Sequence, residues 1–534
     1  MKFLTYTLAT FLISCLLLTS CAKRGFITGG AMDTLPPVVL NATPPNYSTH
    51  FDAKEIKITF DEYIKLNKIN QNLIVSPPFN IQPEIIPSGS ATKTITIKIL
   101  DTLKPNTTYN FNFGQSIADN NEGNVLSDFK YIFSTGDFID SLKVQGSIKE
   151  SYNFKKDNFV SVMLYDATTF TDSTVYKEKP LYVTNTLDSL TTFSIENVKA
   201  GSYYLVAMKD KNNNNKFDSK TEKIGYYAKP ILVPNDSLRE IILFKEDKLP
   251  KALKPTLVSQ NKWLVPYEGD YKNLEIEAFA NNKPIDVRFS KDPKKDSLNV
   301  FIPKIEFDSI KFNFKNGLYE ESFTSKYRKL KDIDSLKISF NKNGGIDFTD
   351  KLELLSTTPI KSFDIKKMNL IDKDSVSIPF NIVNDEYNLK MLIDFEKKEN
   401  QKYSFEMLPG AIIDFYDKSN DSLSLQLTTE AYSKYGNLTL NIANADKFPL
   451  IVELLDEKEN IISYQIIDKN IPLEFFALRP NKYYVRIIVD ENNNGKFDTG
   501  NYLNKTQPEK VYLFDNPIDV RANWEVNETL ILNN

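Results

Sequence analysis

"LEFFALRPNKYYVRIIVDENNNGKFD", residues 473–498, places an alternating run, "YYVRIIV", directly before a cluster of Asp, Asn and Gly. The first part has the period of a strand and the second the composition of a tight turn. The stretch aligns without gaps on "FSIENVKAGSYYLVAMKDKNNNNKFD", residues 193–218. Phe193 falls on Leu473, Val198 on Leu478, Tyr203-Tyr204 on Tyr483-Tyr484, and Asp210 on Asp490. Repetition on this scale marks a duplicated domain. Similar short runs recur, among them "EIKITF" (55–60), "TITIKIL" (94–100), "YNFNF" (109–113), "SVMLY" (161–165), "LKISF" (336–340) and "LTLNI" (438–442). Asn, Asp, Gly and Pro punctuate them. Together they predict an all-β chain of tandem β-sandwiches in an elongated string.

Composition narrows the function classes. A chain of 534 residues should hold roughly three to five domains. Its net charge is −4 with lysines and acids interspersed, so no nucleic-acid surface is indicated. The two cysteines, Cys15 and Cys21, both lie in the first 21 residues. Those residues, "MKFLTYTLATFLISCLLLTSC", form an apolar stretch too short for a resident span and read as a secretory signal. The end, Leu18-Thr19-Ser20-Cys21, resembles a bacterial lipobox, which implies acylation of Cys21 and a lipid-anchored mature chain. Without Cys15, nothing is left for disulfides, thiol catalysis or a cysteine zinc site.

Residues 33–137 carry a second resemblance. "DTLPPVVLNATPPNYS", "EIKITFDEYIKL", "LKPNTTYNFNFGQSIADNNEGNVL" and "FKYIFSTG" together look like the bacterial Ig-like domain near the N-termini of Bacteroidota envelope lipoproteins. Asp61-Glu62 is expected to turn the chain outward, Pro105-Asn106 to start a turn, and Asp119–Asn124 to cap a hairpin. Tyr109, Phe111 and Phe113 should share one strand face. A weaker echo sets "NQKYSFEMLPGAIIDFYDKSNDSL" (400–423) beside "NTTYNFNFGQSIADNNEGNVL" (106–126). The expected order is signal 1–21, tether 22–32, Ig-like 33–137, a sandwich with an Asn-rich loop 138–247, a β-rich linking domain 248–330, a second Ig-like sandwich 331–430 and a second Asn-loop sandwich 431–534. The Asn-loop sandwich resembles the prealbumin-like or carboxypeptidase-regulatory class, a structural module in most settings.

The two loops have the alternating oxygens of a calcium site: Asp210, Asn212, Asn214 and Asp218 in the first, Asp490, Asn492, Asn494 and Asp498 in the second. Gly495 stands at the sharp turn of the second, and Asn215 at that of the first. Position 12, where a bidentate acid closes such a shell, is Thr221 or Asn501, so affinity would be about 10⁻⁴–10⁻³ M. The competing reading is a turn closed by its own side chains. If bound, calcium would be structural.

Catalysis finds little support. The one histidine, His50, sits in a loop, and no glycine-rich phosphate cradle follows a strand. Asp-Ser/Thr followed by an aliphatic residue or threonine recurs, with hydroxyls at Thr34, Thr102, Ser141, Ser173, Ser189, Ser237, Ser297, Ser309, Ser335, Ser375 and Ser422. It is a turn-then-strand device, and it resembles the O-glycosylation acceptor of Bacteroidota envelope proteins. The sequence therefore leads to a non-catalytic, lipid-anchored outer-membrane lipoprotein, more on the cell surface than on the periplasmic face. The basic Ala22-Lys23-Arg24-Gly25 departs from the acidic stretch common after the cysteine of surface-exported lipoproteins. Its expected partner is an outer-membrane β-barrel or other envelope protein, as in barrel assembly or surface export. The rival is an adhesin-like lipoprotein that binds a glycan or a host surface; Trp263 and Trp524 are too few and too separated for a sugar platform.

Overall fold

A computed structural model describes residues 32–187, 191–235, 237–328, 330 and 334–532. Cys21 and Ser189 lie outside the described residues. Among the described residues, helix is limited to four-residue turns such as Ile69–Asn72 and short 3-10 turns, and no helix is long and apolar enough to cross a membrane. The chain is all-β, built of sandwich-like pairs of sheets.

The chain divides into two compact units, ending and starting at Asp140 and Ser141. In the first, one sheet runs Val39–Thr43, Glu55–Leu66, Thr92–Lys98, Glu84–Ile86, with Ile117–Asp119 also on Glu55–Leu66. The other runs Ile74–Ser76, Thr108–Asn112, Lys130–Ser134. Ile56, Ile58 and Phe60 pack between them against Tyr109, Phe111 and Phe133, the alternation that "EIKITF" and "YNFNF" encode. One local expectation fails. Asp61-Glu62 does not turn the chain outward; the strand continues to Leu66. The register slips between Thr59 and Ile64, a bulge that moves the far end of the strand onto Ile117–Asp119.

Among the described residues, the second unit holds four large cores and a small cluster of Ile451, Ile488 and Val511. Val144 to Leu243 form one, Ala252 to Phe314 a second around Trp263, Ile346 to Leu427 a third and Leu438 to Leu532 a fourth. The region expected to link modules is itself a sandwich, with Lys262–Glu268 central in one sheet and Glu275–Ala280 beside Ser309–Asn316 in the other.

The sequence repeats reappear as shared geometry. In the first and last sandwiches of the second unit, one sheet carries an antiparallel neighbour on one side and a parallel C-terminal strand on the other. Leu142–Glu150 lies between Thr192–Val198 and Arg239–Leu243, just as Gly436–Ala443 lies between Leu473–Leu478 and Glu525–Ile531. The same bulge occurs in both, at the left-handed residues Asn197 and Ala477. Tyr203 donates its hydroxyl proton to the Lys199 carbonyl at 3.0 Å, and Tyr483 to that of Arg479 at 2.7 Å.

The weaker echo is as exact in its bonds. Tyr109 accepts from the Lys104 N–H at 2.9 Å, and Tyr403 from that of Lys398 at 2.7 Å. Thr135 accepts from Thr107 N–H and donates to the Lys104 carbonyl; Thr429 does the same with Gln401 and Lys398. Asn106 and Asn400 both take a left-handed conformation at the start of these turns.

These tyrosine hydroxyls hold turns whose backbone groups would otherwise go unpaired. Tyr109→Phe and Tyr403→Phe should each lower unfolding free energy by about 1 kcal/mol in urea melts of the mature chain. Tyr464→Phe, on an exposed side chain, should leave the midpoint unchanged.

Candidate functional site

The Asn/Asp loops follow the central strands Gly201–Met208 and Asn481–Val489. Asp210 accepts the N–H groups of Asn214 and Asn215 at 3.2 and 2.7 Å. Asp490 accepts those of Asn494 and Gly495 at 3.1 and 2.8 Å. Asn212 and Asn492 each accept the N–H two residues on, as do Asn214 and Asn494. Asn215 takes the left-handed turn with φ 57°, where Gly495 has φ 73°. Asparagine replaces glycine there without changing the turn.

Sequence reasoning missed the group that closes each loop. Glu222 accepts from Lys211 N–H and Asp218 N–H, both at 2.9 Å. Glu509 accepts from Glu491 N–H and Asp498 N–H, both at 2.9 Å. Burial pushes both carboxyls above their usual range, against the backbone donors that favour the charged form. These acids span the mouth of the loop through its backbone. In the second loop, the Asn492 and Asn494 amides both donate to Asp498 Oδ2 at 2.5 Å. Among the described residues, no three His, Cys, Asp or Glu side chains gather closely enough to hold a metal.

The loops differ in what comes next. Three residues separate Asp218 from Glu222, whereas ten separate Asp498 from Glu509. The extra residues reach the first sandwich of the unit. Thr499 donates to the Lys245 carbonyl at 2.7 Å, and Tyr502 N–H to Glu246 at 2.6 Å. Gln507 donates to the Tyr226 carbonyl at 3.1 Å, while the Tyr226 hydroxyl meets the Thr506 carbonyl at 3.2 Å. Gly500 lies against Phe244, where a Cβ would come within 2.7 Å of the ring and 2.8 Å of the Thr506 carbonyl oxygen. The gap-free alignment stops at Asp498, so it passes over this insertion.

A buried ion pair completes the joint. Arg486, 2% exposed, donates to Glu453 at 2.6 Å and to the Tyr152 carbonyl at 3.2 Å, and lies 3.5 Å from the Tyr152 ring centre. Tyr152 also stacks on Phe497 from the loop. Glu459 accepts the N–H groups of Phe154 and Lys155, both at 3.2 Å. The duplicated sandwiches thus pack on each other. The signal was present: "VRIIV" and "LVAM" lose strict alternation because their outward faces, Arg486, Ile488, Val206 and Met208, are buried as well.

The hydroxyl sites scatter. Thr34, Thr102, Ser141, Ser173, Ser237, Ser335, Ser375 and Ser422 are exposed, and Ser309 is half-buried. Ser297 is only 3% exposed, within the strand Ser297–Phe301, so a glycan there does not fit the folded chain. Ser173 precedes the helical turn Thr174–Lys177 and not a strand. His50 is exposed and lies 3.4 Å from the Asp137 carboxylate.

Residues 33–135 match the bacterial Ig-like domain family. The described chain therefore opens with a bacterial Ig-like domain. No curated protein matches the sequence. Among solved structures, the chain is similar to domains 1–6 of the surface layer protein SbsC, at 12% identity and TM-score 0.15, over 91% of this chain and 67% of that one. The Bacillus anthracis TIE protein is similar at 9% identity and TM-score 0.14, over 95% and 75%. The BSP domain of a biofilm associated protein is similar at 9% and 0.14, over 76% and 99%. At these TM-scores none bears on function.

Arg486→Ala would leave Glu453 charged and buried without its partner. Removing one member of such a pair costs about 3–5 kcal/mol, so the urea midpoint of the mature chain should fall sharply. Lys361→Ala, which breaks the exposed pair with Asp417, should shift it by less than about 1 kcal/mol.

Proposed function

We propose that this chain is a non-catalytic, lipid-anchored envelope protein that serves as a structural and interaction subunit at the bacterial surface. The observation that carries the reading is where the buried polar groups are spent. Arg486, Glu453, Glu246, Glu222 and Glu509 hold turns and the joint between the repeats. An enzyme keeps perturbed groups convergent in a cleft, free to meet substrate. Here their hydrogen-bonding capacity is directed at the fold. The anchor rests on the lipobox-like Leu18-Thr19-Ser20-Cys21. The finer part of the proposal is docking onto an outer-membrane assembly containing a β-barrel.

Gentle detergent extraction and affinity capture through a C-terminal tag test the partner. A stoichiometric barrel protein is the expected result; a lone chain would refute the assembly. Cys21→Ala should remove the protein from the outer-membrane fraction, and wild-type fractionation of that variant would refute the anchor. Protease added to intact cells should cleave the chain, whereas cleavage only after lysis would place it on the periplasmic face.

We also propose that the two Asn/Asp loops work as turns without an ion. Melting curves of the mature chain should coincide in millimolar calcium and in chelator. A calcium-dependent rise that Asp490→Ala abolishes would instead assign the metal; saturation at 100-fold excess is worth about 2.7 kcal/mol.

A further inference from the structure

The insertion after the second loop does more than fasten the repeats. Between Tyr502 and Lys505 on one side and the outer face of the first repeat on the other lies a cavity of about 340 Å³. That is the lower end of the range of small-ligand pockets. Its walls are aromatic. Phe170 and Tyr204 stack at 4.2 Å, and Tyr226 meets Tyr502 edge-on at 5.2 Å, with Tyr227 beside them. Lys505 crosses the space, 4.0 Å from the Tyr502 ring centre, and pairs with Asp172 at 2.6 Å. Tyr502 is 1% exposed, and its hydroxyl is shielded from solvent and from the cavity.

The chemistry of the walls selects the ligand. A charged ligand would meet one member of the Lys505–Asp172 pair as a like charge. A neutral one need not. The pair offers both donors and acceptors, matching hydroxyl groups, which donate and accept. The aromatic faces suit a ring with an apolar C–H face. We propose that this cavity binds a neutral pyranose sugar unit of a glycan. This goes beyond the scaffold reading and does not rest on it. A tryptophan platform is absent from the site: Trp263 is buried in another core, and tyrosines take that place.

The test is direct binding of neutral oligosaccharides (maltohexaose, cellohexaose, xylohexaose, mannohexaose and chitohexaose) to the mature chain in detergent, by calorimetry up to millimolar sugar. At least one should bind. Tyr204→Ala and Asp172→Asn should each weaken it tenfold or more, while Trp524→Ala, an exposed aromatic elsewhere, should leave it unchanged. Asp172 is an exposed side chain, so its variant keeps the test valid if Tyr204→Ala fails to fold. Absence of binding across the panel overturns the proposal. So does binding that both variants leave intact, or a cavity that instead takes an aromatic side chain of a peptide.

Discussion

A carboxylate that gathers the backbone N–H groups of the turn just after its own strand is the interaction on which these sandwiches depend. Asp119 takes four such donors, from Asn121, Glu122, Gly123 and Asn124. Asp414 takes those of Tyr416 and Lys418 as well as the Thr358 hydroxyl. Asp210, Asp456 and Asp490 act alike. A chain with no disulfide in its described part must fix the ends of its strands by other means. Each unpaired N–H left in a half-buried turn would cost about as much as a lost hydrogen bond. One acid meets several of them at once. This also explains why the Asn-rich loops look like ion sites: oxygens at alternate positions suit backbone donors as well as a cation.

The joint between the repeats extends the same logic from a turn to a domain face. Duplication leaves two similar sandwiches, each with one sheet facing outward. Burying those sheets against each other demands partners for any polar group trapped there. Arg486 has a carboxylate, a carbonyl and an aromatic face to meet its guanidinium. At the equivalent position the first repeat has Val206, which needs no partner. The repeats have therefore diverged into complementary halves. The ten-residue connection in the second copy, against three in the first, gives that divergence its backbone.

Sequence reading reached the fold well and the joint poorly, for a physical reason. Period-two alternation records one buried face, so "YNFNF" announced Tyr109, Phe111 and Phe113 as core residues, and all three are buried. The Asx-type turns were equally visible, because Asp, Asn and Gly act locally. Long-range partners leave no such local mark. Glu509 follows the loop mouth it closes only after the ten-residue connection, and Glu453 faces Arg486 from the neighbouring strand, 33 residues away in the chain. The Asp61-Glu62 error has the same root. A bulge and a turn share composition, and only the register with Ile117–Asp119 distinguishes them.

The joint also alters how this unit bears load. Tyr152 meets Glu453 across 301 residues of chain, so the two intervening sandwiches form a closed branch between fixed points. A pull between the start of the first repeat and the end of the second travels through Arg486, Glu453 and Tyr152 before it reaches the intervening chain. The contacts act in parallel, as in a lap seam, and the sandwiches of Lys251–Lys326 and Ile338–Thr428 lie on the branch that the seam closes. Under such a pull, the seam sets the length at which the unit resists.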